Sequence, residues 1–321
     1  MNSGFRLPFL TGWVVVLMVL AFSPTQARKY DDVIESGYVL IGIYRDFPPY
    51  SYLDSKGQPA GIDVDLGKKI ALRLGVNPRW FWITADENMD DDLRNAIWKG
   101  HFLTQKVADF MMRVPYEREL ERRNQMIALF APYHAEMFLM AYDIRKIPEF
   151  QNYAIFQYEN IALQLDTLPD FMMTGMYNGR LANKIIRFLS QSEANKNLIN
   201  GESAATIGLS GPLLNELSGN KNIRFLIPPM QEITRPQKVL NCPDIKKDWT
   251  SKVQIEVQCK WEYAQARTEW DIGIAVMEDF RQLGYAVEIE MEKLIKDGVI
   301  GGIFSNHGVN FRLPLFLSEQ N

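Results

Sequence analysis

Cysteine and histidine are scarce in this chain, with two and three residues among 321. The histidines His101, His134 and His307 are scattered, and none stands at the spacing of a metal site, so we expect no bound metal and no cofactor. Nucleotide-binding glycine loops are absent, and "GLSGP" (208–212) is not a nucleophile elbow because its second glycine comes one residue too early. The sequence therefore predicts a protein that is not an enzyme.

An excess of positive charge is also lacking. The chain has 35 basic and 39 acidic residues, for a net charge of −4. Nucleic-acid binding requires a basic face, so we expect no nucleic-acid partner. The 47% hydrophobic and 23% charged content is that of a chain that can bury a core.

Long apolar runs are missing after the first 27 residues. Within those residues Arg6 precedes "GWVVVLMVLAF" (12–22), and small residues follow at Thr25 and Ala27. This pattern predicts a signal peptide over residues 1–27, cleaved after Ala27, and hence an exported protein. An uncleaved membrane anchor is the alternative.

The two cysteines, Cys242 and Cys259, stand 17 positions apart. In an exported chain an even, close pair predicts a disulfide that closes a short loop. Two free thiols are the alternative. The surrounding residues 232–268 have many charges and little periodicity, which indicates an irregular insertion.

Strands and helices alternate along the chain. "YVLIGIYR" (38–45) is typical of a strand, and Ile62, Leu66, Ile70 and Leu74 recur every four residues as in an amphipathic helix. "PRWFWI" predicts a second strand, and "TADE" (84–87) predicts a capping box that opens the next helix. Similar alternation follows from "NIALQL" to "IRFLIPP" and again from "IGIAV" onwards. This order predicts an α/β fold with helices covering a sheet.

The segment "FPPYSYLDSKGQPAGIDVDLGKKIALRLGV" (47–76) resembles the start of the bacterial extracytoplasmic solute-binding proteins of family 3. "VADFMM", "RRNQMIALFAPY", "GIAV" and a closing helix ending "KDG" follow in the family's order. The resemblance covers roughly residues 36 to 310, apart from the insertion. It implies a two-lobed type II periplasmic binding fold with a two-strand hinge. By that template, lobe 1 comprises residues 28–141 and 230–321, and lobe 2 comprises residues 142–229.

The resemblance also implies where a ligand binds. Phe47 matches the aromatic residue on which the family stacks its ligand, and Tyr50 neighbours it. The prolines between them stiffen a loop at the carboxyl end of the first strand, where open α/β sheets bind ligands. Packing of the lobe is the alternative role for both aromatics.

Two arginines compete for the role of a carboxylate clamp. Arg123 stands nine residues before Pro132, which is the family's spacing for this arginine. Counting from Asp109 gives two extra residues, so Arg113, Arg118 or Arg122 is the alternative, and Arg113, at the exit of a strand, is an equal candidate. A guanidinium suits the role because it pairs two oxygens at once. Arg123 can instead pair with Glu119 on the surface.

In lobe 2 the resemblance assigns Asp166, Thr167 and Ser210 to ligand binding. The family's amino-acid binders carry acidic residues where this chain has Ala204 and Leu209. An ammonium group without its carboxylate is unfavourable to bury. We therefore expect a small polar or anionic solute rather than an ordinary amino acid.

Three hypotheses follow for the function. The first is a binding protein that closes on a solute and presents it to an inner-membrane ABC permease. The second is an accessory protein on the same fold that serves a periplasmic, quinoprotein-type dehydrogenase. The third is an enzyme on this fold, like the periplasmic dehydratases that resemble these binders, which would need an acid and a base converging in the cleft.

Overall fold

The computed structural model describes residues 27–102, 104–228, 238–241, 260–263 and 269–318. The strands are β1 Tyr38–Tyr44, β2 Tyr52–Leu53, β3 Pro59–Ala60, β4 Asn77–Ile83, β5 Phe110–Pro115, β6 Ile127–Asp143, β7 Ile161–Gln164, β8 Ile185–Phe188, β9 Ala205–Leu209, β10 Ile223–Leu226, β11 Lys238–Asn241, β12 Lys260–Tyr263 and β13 Glu269–Met277. The helices are α1 Tyr30–Ser36, α2 Ile62–Arg73, α3 Met89–Leu93, α4 Arg118–Arg123, α5 Leu168–Gly175, α6 Gln191–Ile199, α7 Ser210–Leu217, α8 Arg281–Lys296, α9 Val299–Asn306 and α10 Leu315–Ser318.

The first half of the molecule is built on β1, which pairs in parallel with β4 and β5. β13 lies antiparallel between β5 and β6 and completes this part of the sheet. The four-residue spacing predicted in α2 is confirmed, because Ile62, Leu66 and Ile70 are all buried in the core. α8 buries Leu283, Val287 and others in the same core, so helices anchor this half as the alternating pattern indicates.

The second half is built on β7, which pairs in parallel with β8 and β9. β9 and β10 pair antiparallel with the end of β6. Its core is separate from that of the first half and contains residues between Met137 and Leu226. Thr167 stands at the cap position of α5, and Pro169 lies in its first turn.

Strand β6 belongs to both halves. Its residues 127–137 pair with β13, and its residues 138–143 pair with β9 or β10. β6 is therefore a crossing strand of the kind that the predicted hinge requires. The return crossing expected near residue 230 lies outside the described residues, so the exact lobe boundaries stay a prediction.

Two local expectations need revision. α3 begins at Met89 rather than after Thr84, because the Asn88 side chain accepts the Asp91 N–H at 3.0 Å and takes the capping position. At the ends of the predicted irregular insertion, β11 and β12 pair as an antiparallel hairpin. No helix in the described part of the chain is both long and apolar enough to span a bilayer.

Two buried titratable side chains lie on or against the crossing strand β6. Burial lowers the pKa of His134, on β6, to about 4. Burial raises the pKa of Asp63, in α2, to about 6, although Arg113 and the Tyr133 hydroxyl, which donates to Asp63 at 2.9 Å, oppose the rise. Relative to the unfolded chain, the folded protein therefore disfavours a proton on His134 and favours one on Asp63.

We predict that these two groups give opposite pH dependences of stability. As pH falls from about 6.5 to about 4, His134 is protonated in the unfolded chain but stays neutral in the folded protein. The free energy of unfolding therefore falls by about 3 kcal/mol over this range. Asp63 acts in the other direction, because its contribution is lost as pH rises from about 4 to about 6.

Denaturant unfolding of the wild type, His134→Phe and Asp63→Asn across this pH range checks the prediction. The difference between wild type and His134→Phe should grow with rising pH, and the difference between wild type and Asp63→Asn should shrink. Parallel curves for all three proteins would contradict it.

Candidate functional site

The carboxyl ends of four strands face one region between the two halves. β1 and β5 contribute from the first half, and β7 and β9 contribute from the second. This is the edge at which open α/β sheets bind ligands. The predicted ligand-binding residues Phe47, Arg113, Thr167 and Ser210 lie at or just beyond these strand ends.

Arg113 reaches this region through a β-bulge. Met112 pairs with Ile274 and Val114 pairs with Gly273, so Arg113 between them has no partner residue on β13. Its φ of 63° is in the left-handed region, which is strained for a side chain of this size. Bulges re-aim side chains, and this one places the guanidinium in the protein interior, where the Arg113 side chain is only 4% exposed.

The guanidinium of Arg113 meets Glu136 from β6, and the Glu136 side chain is fully buried. Its Oε2 atom accepts from Arg113 Nη2 and from the Tyr50 hydroxyl, the latter at 2.6 Å. Its Oε1 atom accepts from Ser210 Oγ at 2.9 Å and from the Met137 backbone N–H at 3.1 Å. Four donors therefore satisfy one buried carboxylate, which is what a buried ion pair requires. We call Arg113, Glu136, Tyr50 and Ser210 the buried polar cluster.

The electrostatics of the buried polar cluster keep its members in fixed protonation states. Burial alone would raise the pKa of Glu136, but the Arg113 guanidinium holds that pKa below its usual value. Burial, followed by the nearby Glu136 charge, raises the pKa of Tyr50 well above its ordinary value. Glu136 is thus a carboxylate acceptor and Tyr50 a protonated donor at neutral pH. The Arg113 guanidinium also lies over the Tyr50 ring, 3.1 Å from its centroid.

Helix α7 of the second half is held directly against the first half. Ser210 at its start joins the buried polar cluster, and Gly211 faces the Tyr50 hydroxyl so closely that a Cβ atom there would overlap it. One turn later, Asn215 Nδ2 donates to the His307 backbone oxygen at 2.6 Å. These contacts close the two halves on each other through the chain's own residues.

A cavity of about 300 Å³ lies beside the buried polar cluster. Phe47 approaches it from the first half, and the remaining walls come from β6 and the second half. Its lining is aromatic, aliphatic or uncharged polar: Phe47, Phe138, Gln164, Thr167, Leu168, Pro169, Gln191, Gly208, Leu209 and Pro212. The volume is at the lower end of the range for small-molecule sites.

The structure divides the predicted site residues into three groups. Phe47 and Thr167 line the cavity. Tyr50, Arg113 and Ser210 converge on Glu136 instead, and Arg113 Nη1 is buried without a hydrogen-bond partner.

Arg123 and Asp166 are not brought to the cavity wall. Arg123 ends α4, is 46% exposed, and pairs with Asp90 at 2.9 Å rather than with Glu119. The two extra residues after Asp109 place it on this short surface helix. Asp166 is exposed at a turn with a φ of 58°, and its N–H donates to Asp170.

Sequence reasoning missed Glu136. The signal was present, because Glu136 is the sole Asp, Glu, Lys or Arg of the 17-residue strand β6 before its last residue, Asp143. A charge there is expected only with a buried partner. Its partner Arg113 is 23 residues away in sequence, and the bulge that joins them has no local sequence signature.

Comparison with known proteins places this geometry in context. Residues 39–99 match the family model described as "Bacterial extracellular solute-binding proteins, family 3". The chain is 33% identical over 78 residues to cyclohexadienyl dehydratase of Pseudomonas aeruginosa, covering 24% of this chain and 28% of that protein. It is 26% identical over 111 residues to the probable ABC transporter arginine-binding protein ArtJ of Chlamydia trachomatis, covering 33% of this chain and 43% of that protein. The matches thus span less than half of either curated relative.

Solved structures show a likeness over most of the chain. The structure titled "Ancestral Cationic Amino Acid Solute Binding Protein (AncCDT-1)" superposes with a TM-score of 0.60 at 17% identity, covering 86% of this chain and 98% of that one. At such low identity the likeness concerns the fold alone. The predicted two-lobed periplasmic binding fold is confirmed.

We predict that breaking the buried ion pair from one side is strongly destabilising. Glu136→Gln leaves the Arg113 charge buried without a counter-charge, and the free energy of unfolding should fall by about 3–5 kcal/mol. The double variant Arg113→Met with Glu136→Leu removes both charges and should recover most of this loss. Equilibrium denaturation measures both.

The exposed pair of Arg123 and Asp90 supplies the matched control. Arg123→Ala should change the free energy of unfolding by less than about 1 kcal/mol. A Glu136→Gln effect as small as that of Arg123→Ala would show that the buried polar cluster does not hold the halves together.

Proposed function

We propose, on the premise that this chain is a divergent member of the bacterial extracellular solute-binding proteins of family 3, that it binds a small solute between its two halves and presents it to an ABC-type permease. The observation that carries the proposal is the cavity at the carboxyl ends of the strands, with Phe47 on one side and Thr167 on the other. A site walled by both halves couples binding to their closure, because a solute that contacts both favours the closed form.

Export and lobe assignment belong to this proposal. We propose that residues 1–27 are a signal peptide and that the protein acts in the periplasm; residues 1–26 lie outside the described part of the chain. We also propose lobe 1 as residues 28–141 with 230–321, and lobe 2 as residues 142–229. The separate cores of the two halves support this division.

Binding without catalysis fits the cavity better than an enzymatic role. The similarity to cyclohexadienyl dehydratase raises the alternative of an enzyme. A dehydratase mechanism, however, needs an acid and a base at the substrate. The ten residues of the cavity wall include no carboxyl, imidazole or amino group. Neither relative named above is a dehydrogenase accessory protein, and these relatives give that role no support.

We predict that a thermal-shift screen of periplasmic solutes, including amino acids, carboxylates, polyols and alcohols, identifies a stabilising ligand. A ligand at 100 times its dissociation constant stabilises the folded protein by about 2.7 kcal/mol, which is readily detected. Phe47→Ala should weaken binding at least about tenfold through loss of the aromatic contact. Arg123→Ala, outside the cavity, should leave affinity unchanged. A screen in which no solute raises the melting temperature would contradict the proposed function.

A disulfide between Cys242 and Cys259 stays a prediction, since both residues lie outside the described part of the chain. Asn241 on β11 pairs with Lys260 on β12, so the residues adjoining the two cysteines are opposite each other in the hairpin. This register supports the pairing. We expect mass spectrometry after alkylation without reductant to find no free thiol, and two labelled cysteines would refute the disulfide.

A further inference from the structure

Resting on the proposed function, we infer that the cavity takes an uncharged solute with a ring-sized apolar body and a hydroxyl or amide N–H that donates a hydrogen bond. The expectation of an anionic solute required a free arginine at the site. The Arg113 charge is already paired with Glu136, although its buried Nη1 atom has no hydrogen-bond partner, and Arg123 pairs with Asp90 on the surface.

The two buried charge pairs nearest the cavity are compensated within the protein. No residue of the cavity wall is ionisable. Next to the wall, Arg113 and Glu136 neutralise each other, and Asp170 pairs with Arg187 at 2.8 Å. Asp166 in the adjoining turn and Arg45 and Asp46 before Phe47 are exposed to solvent. An ionic solute would lose its hydration here and meet no ionisable side chain on the cavity wall, which is strongly unfavourable.

The shape and lining of the cavity set the apolar part of the solute. Phe47 and Phe138 provide two aromatic rings, and Leu168, Pro169, Leu209 and Pro212 provide aliphatic surface. Aromatic side chains favour flat apolar partners through offset or edge contacts. The volume of about 300 Å³ is roughly twice that of a cavity that holds benzene, so a single substituted ring fits.

The polar atoms of the cavity wall specify a donor on the solute. Gln191 uses its Nε2 group to donate to Asn195 and to Thr206, each at 2.9 Å. This fixes the amide so that its Oε1 atom lies against Gly208, where a Cβ atom would overlap it. Thr167 Oγ donates to the Gln164 backbone oxygen at 2.8 Å and retains its acceptor lone pairs. Gln191 Oε1 and Thr167 Oγ1 are therefore hydrogen-bond acceptors for a donor group on the solute.

Isosteric probes test the inference directly. Benzyl alcohol, benzoate and benzylammonium share one ring and differ in charge, and each is titrated into the exported chain with the melting temperature as readout. We expect benzyl alcohol to raise the melting temperature saturably, with both ions at least about tenfold weaker. Equal or tighter binding of either ion, or no shift with benzyl alcohol, would overturn the inference.

Variants at Leu209 test the role of charge within the same cavity. Leu209→Asp should shift the preference toward benzylammonium over benzyl alcohol by at least about tenfold relative to the wild type. Leu209→Asn should weaken benzyl alcohol without creating this preference. Leu189→Asp, at a position 82% exposed and outside the cavity wall, should change neither affinity. If Leu209→Asp leaves the preference between benzylammonium and benzyl alcohol unchanged, the probes bind outside this cavity and the inference is overturned.

The two proposals fail in different ways. If an amino acid or another ion binds the wild type and Phe47→Ala weakens it, solute binding stands and the uncharged class is wrong. If no solute of the wider screen binds, the proposed function fails as well.

Discussion

A carboxylate buried inside a protein needs hydrogen-bond donors around it. Glu136 is such a carboxylate, and it lies where the two halves meet. Its donors come from three separate parts of the chain: Tyr50 after β1, Arg113 on β5 and Ser210 at the start of α7. Tyr50 and Arg113 belong to the first half and Ser210 belongs to the second. The hydrogen bonds to Glu136 therefore join residues of both halves. The bulge at Arg113 and the close approach of Gly211 to Tyr50 serve the same arrangement.

This arrangement changes what a ligand has to supply. In a two-lobed binding protein a solute favours closure by contacting both halves, and it can shift the equilibrium only by its difference in affinity for the closed and open forms. Here Glu136, Ser210 and the hydrogen bond from Asn215 to the His307 backbone already connect the halves. The ion pair of Arg113 and Glu136 lies within the first half, and it is the Ser210 hydroxyl and the Asn215 amide that connect this half to the second.

Much of the fold was predictable because its signals are local. The α2 spacing depends on a few consecutive residues, and this prediction is confirmed. Within the candidate site, Phe47 and Thr167, which the family resemblance assigns to ligand binding, line the cavity. Tertiary contacts decided the rest. Asn88, not Thr84, caps α3. Arg123 lies on the surface and pairs with Asp90. The pairing of Arg113 with Glu136 depends on a bulge in β5.

The central claim is that the chain's own residues close the two halves in the absence of solute. It is tested most directly by the distance between spin labels at Leu72→Cys in α2 and Leu189→Cys after β8, both exposed positions, in a chain whose native cysteines are replaced by serine. The account predicts one narrow distance distribution, matching this structure, in the solute-free protein, and a longer distance in Gly211→Ala. Gly302→Ala, a helical glycine with open space around it, should behave as the wild type. A solute-free protein populating mainly a longer distance would contradict the account.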